Sequence, residues 1–214
     1  IGPHLNVASD IPVLNATGKV VIPGLIDPLC FMGNHLDGEP AQAPQTVAKN
    51  FANRAFIERC QKEDPAFTSL RQQGITTIGG ALPEMGYLSG VSNVLKTSGV
   101  FSTLEKEFYL CSVAVGNPVG TAKEILKFIT EARQYAKAKQ RYDEDLKKYQ
   151  QAQKSNPKGS EKKPSLPAKN KAYERYNTFE AKGGIVFCEA YTIPQIRAAL
   201  KYLQKEANLK LIKD

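Results

Sequence analysis

The 214-residue sequence has no tryptophan, two methionines and only two histidines, His4 and His35. So few imidazoles leave little material for a histidine-rich metal centre, and they leave Ser89, Ser92 and Ser98 without a histidine partner nearby in sequence for a nucleophilic triad. No unbroken apolar run reaches the ~18 residues needed to span a bilayer as a helix. Four cysteines, Cys30, Cys60, Cys111 and Cys188, lie far apart and form no Cys-x-x-Cys pair. That pattern argues against a disulfide framework or a zinc knuckle. Reduced, mostly buried thiols are expected, which weakly favours a cytoplasmic setting. Glycine (16) and proline (13) are too sparse for a collagen-like or wholly disordered chain. The chain opens on isoleucine with no signal peptide, and is read as a piece of a longer protein.

What is present is a core-forming chain, 42% hydrophobic, with a lopsided charge. Residues 133–182 carry 14 Lys and Arg against 6 Asp and Glu, an excess equal to the +8 of the whole chain. The remainder is neutral. Within this stretch, residues 151–171 are rich in Lys, Pro, Ser and Gly and are expected to form a flexible insertion. Before it, Ala122–Gln150 has helical spacing of Ile125, Phe128, Ile129, Ala132, Tyr135 and Ala136. Beyond Ala136 only Tyr142, Leu146 and Tyr149 continue the apolar face, so the helix should project into solvent. A solvated insertion is favoured over a nucleic-acid footprint, since no Arg cluster or RNA-binding motif accompanies it.

Elsewhere strands and helices alternate. Val13–Pro23 has a turn at Ala16–Gly18, and Gly24–Phe31 reads as a strand. Gln45–Cys60 can be helical. Asp64 followed by Pro65 reads as an N-cap, with its helix stopping at Gly74. Ile75–Ile78, Glu107–Val115, Ile185–Cys188 and Leu209–Ile212 read as strands, and Ile193–Glu206 as a helix. This order argues for a parallel α/β fold. The glycine-rich loop from Gly79 to Gly90 lacks the Gly-x-x-x-x-Gly-Lys pattern of a phosphate cradle.

Ala16–Asp27, ATGKVVIPGLID, resembles the entry segment of the amidohydrolase superfamily, in particular its imidazolonepropionase-like and dihydroorotase-like metal-dependent hydrolases. Asp64–Thr68 with Gly74–Ile78 resembles the family's helix and Gly-Val-Thr-Thr strand. Pro83–Gly90 resembles its glycine-rich loop, and Ala114–Pro118 and Ala132–Tyr135 match further short segments. The resemblance implies a partial (β/α)8 TIM-type barrel entered from a small β-sandwich segment. Residues 1–22 would belong to the sandwich, 23–150 to the first part of the barrel, 151–171 to the flexible insertion and 172–214 to the barrel's continuation.

The departures from the family lie at its metal ligands. The His-x-His pair that follows Gly-Leu-Ile-Asp is here Leu29 and Phe31, neither with a lone pair. Strand alternation turns Cys30 to the opposite side. The later His-rich segment corresponds to Cys188–Ile196, with Glu189 and Tyr191 at the histidine positions. Lys96 is the candidate counterpart of the family's metal-bridging lysine. Asp27 and Met85 are candidate pocket or supporting residues. No catalytic residue and no cofactor is therefore expected in this segment, whereas relatives use zinc or another divalent metal to polarise a carbonyl and supply hydroxide.

A closed barrel takes ~250 residues. The missing strands are expected from the same polypeptide or from another subunit, in an oligomer and with no role for a membrane. The expected function is a non-catalytic scaffold of amidohydrolase-like fold. The alternatives are part of an active hydrolase of C–N bonds whose ligands lie elsewhere, and a binding module that uses the basic insertion to hold an acidic partner.

Overall fold

The computed structural model describes residues 8–33, 52, 55–61, 63–82, 87–98, 103–114, 116–155, 162–206 and 209–212. The strands are β1 (Leu25–Cys30), β2 (Ile75–Gly80), β3 (Leu88–Lys96), β4 (Thr103–Ser112), β5 (Ile185–Glu189) and β6 (Leu209–Ile212), in one sheet in chain order. The helices are α1 (Pro65–Gln72), α2 (Pro118–Ser155), α3 (Lys171–Ala181) and α4 (Ile193–Tyr202). None is long and apolar enough to cross a membrane.

Five strands run in one direction, as a curled half-barrel requires, but β3 runs against both neighbours. This corrects the all-parallel reading. The expected glycine-rich loop is, from Leu88 onward, a nine-residue strand. Its register slips between Leu88 and Val91 and again between Asn93 and Leu95. Such irregularities break the period-2 alternation that identifies a strand in sequence.

Helix α1 follows its sequence signals closely. The Asp64 carboxylate accepts a hydrogen bond from the Ala66 amide at 2.7 Å, Pro65 opens the helix, and Gly74 (φ +82°) ends it. Phe67 and Leu70 are then buried with Cys30, Phe56, Ile78, Leu82 and Leu95. Asp64→Ala should cost about 1 kcal/mol, typical of a lost cap. Urea denaturation with an unchanged m-value checks it.

The expected helix over Gln45–Cys60 does not form where the chain is described. Phe56–Glu58 is a single 3-10 turn, and Ala55 bridges to Val91. The Ile57 amide donates to the Asn93 side chain at 3.2 Å, so β3 dictates this conformation. Helix α3 has a clear cap, Asn170, whose side chain accepts from Ala172 and Tyr173. It lies within the span expected only to continue the barrel. Helix α2 starts at Pro118 and ends at Ser155, so it crosses the expected boundary at residue 150.

The sheet has two unlike faces. Tyr109, Cys111, Val186 and Cys188 point toward the helices and pack on Ile125, Phe128 and Ile129 of α2, Tyr176 and Phe179 of α3, and Ala198 and Ala199 of α4. Residues one step away, Phe108, Leu110 and Phe187, point to the concave side. Arg133 of α2 ties α3 and the turn that follows α4 together. It donates to both Glu180 carboxylate oxygens and, at 3.0 Å, to Glu206. Residues 8–24 form no strand among the described residues. Gly18 (φ +73°) makes the expected turn, closed by the Lys19 amide on the Ala16 carbonyl at 2.9 Å.

Candidate functional site

In a half-barrel of this kind the chemistry-bearing end is the rim where the co-directional strands finish, at Cys30, Gly80, Ser112 and Glu189. On β1, the Asp27 carboxylate accepts from the Leu29 amide at 3.1 Å and so shapes its own strand. Leu29 packs on the concave apolar cluster of Ala81, Phe108 and Leu110, together with Val94 and Phe187. The Phe108 and Phe187 rings meet edge to face, with centroids 5.2 Å apart. Cys30 lies in the other core, beside Phe67 and Leu70. The two positions thus face opposite sides, as alternation requires.

Gly79 and Gly80 close this region by close packing. A Cβ on Gly79 would sit 2.2 Å from the Pro28 carbonyl oxygen, and one on Gly80 would sit 2.2 Å from the Phe56 ring. Their glycine is explained by the approach of β1 and of Phe56.

Glu189 ends β5 and is buried. Its carbonyl oxygen accepts from the Val113 amide at 3.3 Å. Tyr191, two residues on, is 65% exposed, and Phe31 is 41% exposed. Four strand steps separate Leu29 on β1 from Glu189 on β5, ~19 Å measured along the sheet. Lys96 is at the opposite end from the rim. Because β3 is reversed, its last residue pairs with Thr77 near the start of β2, and the Lys96 ammonium donates to the Thr77 hydroxyl at 2.8 Å. This arrangement does not bring Lys96 to the candidate ligand positions. Met85, His4 and His35 lie outside the described residues.

These residues do not fit the divalent metal that the resemblance implies. Leu29 offers carbon to an apolar cluster, Tyr191 points its bulk to solvent, and Glu189 is a single carboxylate. Among the described residues no three His, Cys, Asp or Glu side chains are grouped to hold a metal ion. The thiols are free and shielded. Burial, with Asp64 and Cys30 nearby, pushes the Cys60 thiol up to about 12. Burial is also the main cause of the upward shift of Cys30. Cys111 pairs in register with Cys188, and its thiol is raised by the hydrogen bond between them and then by burial. Thiols held protonated in this way are poor nucleophiles.

Sequence reading missed the residue that organises the rim beside Glu189. Gln195 is buried, and its side-chain oxygen accepts from the Tyr191 amide (3.0 Å), the Thr192 amide (2.8 Å) and the Thr192 hydroxyl (2.9 Å). Its amide nitrogen donates to the Val113 carbonyl. The signal was present: Thr192-x-x-Gln195 is a capping box directly ahead of the apolar face of α4.

No protein-family model matches the chain, and no curated protein matches it by sequence. Among solved structures it is similar to an amidohydrolase from Thermotoga maritima MSB8, with a TM-score of 0.67 and 15% identity. That match covers 99% of this chain and 56% of the amidohydrolase chain. The likeness is one of fold, and it gives the chain the architecture of an amidohydrolase over little more than half of such an enzyme's length.

Proposed function

We propose that this chain is a non-catalytic, amidohydrolase-like half-barrel whose role is assembly, with the rest of a TIM-type barrel supplied by the same polypeptide or by another subunit. The observation that carries the reading is the concave face at the first-strand ligand position. There Leu29 extends an apolar cluster with Phe108, Leu110 and Phe187, where a metal enzyme would need imidazoles. The half-exposed Leu29, Val94 and Phe187 suit burial under further strands. So does the segment before β1, where Val13, Leu14, Val20, Val21 and Ile22 are exposed. Among the described residues, strands β1 and β6 are the two edges of the sheet, which a complementary half would cover.

Elemental analysis of the purified chain, after dialysis against a weak chelator, tests the loss of the metal site. The expected content is well below one zinc, iron or manganese per chain. A near-stoichiometric metal overturns the reading and directs attention to Glu189, His35 and the cysteines.

A second reading, a part of an active hydrolase of C–N bonds, is favoured by the 56% coverage of the Thermotoga amidohydrolase. In that case the ligands lie in companion sequence, which should carry an intact His-x-His and a late-strand aspartate.

A further inference from the structure

Helix α2 has 38 residues; its last buried side chain is Ala132 and Lys139 still meets Glu174 of α3, so residues 140–155 extend ~24 Å beyond that pair. This extension is not bare. Tyr142, Leu146, Tyr149 and Ala152 are half-buried along one side of it. The returning residues 162–170 have Pro164, Pro167 and Asn170 half-buried, one residue in three. That period matches a polyproline II strand. Tyr149 and Pro164 line one cleft of about 550 Å³ together with Asp145, Lys148, Lys162 and Lys163. The return segment therefore straps the apolar side of the helix, and α3 follows it back to the core, where Lys139 meets Glu174 at 3.1 Å.

With its apolar side covered, the arm offers charge. Its described residues 137–155 and 162–171 hold ten Lys and Arg against three acids, Asp143, Glu144 and Asp145. Among the described residues, Lys139 and Lys148 are the arm's cations in an ion pair, and Lys148 is 3.8 Å from Asp145 and largely exposed. Lys147, Lys154, Lys162 and Lys163 are exposed and make none. Clustered like charges repel one another, so the arrangement is suited to being neutralised from outside.

We propose that the tip of this arm, with Lys147, Lys148, Lys154, Lys162 and Lys163 beside the Tyr149–Pro164 cleft, is a docking surface for an acidic polypeptide segment. Several features favour a peptide over a nucleic acid. The arm's cations are lysines with the single exception of Arg141, so the bidentate forks that grip phosphate are scarce. Its tyrosines are half-buried on the strap side, not presented for base stacking. Three consecutive carboxylates interrupt the basic surface and would oppose a duplex carrying a charge every ~1.7 Å. Peptide carboxylates can be spaced to avoid them. A membrane is a poorer fit, because Leu166 is the arm's one strongly exposed large aliphatic side chain among the described residues.

The test uses the full chain and a fluorescent deca-glutamate peptide, followed by anisotropy. Two arm variants are compared, one with Lys147, Lys148, Lys162 and Lys163 all changed to Gln, and the strap pair K162Q/K163Q. A control with the same charge loss changes Lys106, Lys123, Lys127 and Lys205 to Gln. Circular dichroism verifies that each variant is folded. The expected result is saturable binding that the fourfold arm variant weakens by about tenfold, the strap pair by about threefold and the control by less than about twofold. Raising salt from about 50 to about 300 mM should weaken it further. Absence of binding overturns the proposal, as does equal loss in the control. So does tighter binding of duplex DNA or of phosphatidylserine vesicles than of the peptide.

Discussion

Tyr109→Ala should lower the stability of the fold by about 3–5 kcal/mol, the cost of deleting a large core aromatic. Tyr109 is fully buried at the point where β4 meets α3, with its ring 4.7 Å from Phe179 and 5.7 Å from Tyr176, centroid to centroid. Its hydroxyl donates to the Ala52 carbonyl at 3.0 Å, tying in the segment ahead of the 3-10 turn. Tyr109→Phe keeps the ring packing and removes that one hydrogen bond, so about 0.5–1.5 kcal/mol is expected. Urea denaturation separates the two variants. A loss under ~1.5 kcal/mol for the alanine variant would mean that this aromatic cluster is not the core. A pH effect follows from the same burial. It holds the Tyr109 and Tyr176 phenols above their ordinary range in the folded chain. The unfolded chain then releases these protons first, so stability is full below pH ~10 and falls as pH rises beyond it.

The parts of this fold that could be read from sequence are those whose signals are local. The Asp64-Pro65 start and Gly74 stop of α1 needed no tertiary partner. The apolar face of α2 was equally plain, because burial on one face leaves a periodic trace. The opposite sides taken by Leu29 and Cys30 followed from alternation alone. Strand β3 was hidden because its register slips twice and it follows a glycine-rich stretch, Gly79 to Gly90, that imitates a loop. That omission also misplaced Lys96. A residue after a loop would approach the rim, whereas a residue at the end of a reversed strand lies at the far end. The placement of residues 162–165 beside α2 was hidden for a different reason. A Lys/Pro/Ser-rich composition denies a segment its own core, yet such a segment can still lie against a neighbouring helix, as Pro164 does beside Tyr149. Gln195 is hidden because the family resemblance points instead to the histidine positions four and six residues earlier, at Tyr191 and Glu189.

Gln195→Ala should cost about 1–3 kcal/mol, since one truncation breaks four hydrogen bonds and takes the donor away from the carbonyl of the buried Val113. The bonds it makes span two elements. Three fix the turn from β5 into α4, and the fourth holds that turn against Val113 just past the end of β4. Gln195→Glu retains the three accepting contacts and loses the donated one, and it sets a carboxylate against the Val113 carbonyl. It should recover part of the turn but not its attachment to β4. Hydrogen exchange distinguishes the two effects. In the alanine variant the Tyr191 and Thr192 amides should lose protection ahead of global unfolding, whereas in the glutamate variant they should keep it while overall stability still falls. Equal protection in the alanine variant and the parent would show that the turn is held by other contacts. The consequence reaches the functional reading. In a metal enzyme of this fold, the stretch after the corresponding strand presents ligands to the rim. Here the Gln195 clamp draws the Tyr191 and Thr192 backbone toward α4 and leaves the Tyr191 side chain in solvent. Tyr191→His alone would therefore place an imidazole in solvent, outside the rim. Recovering a ligand at that point would require remaking the turn as well as the residue.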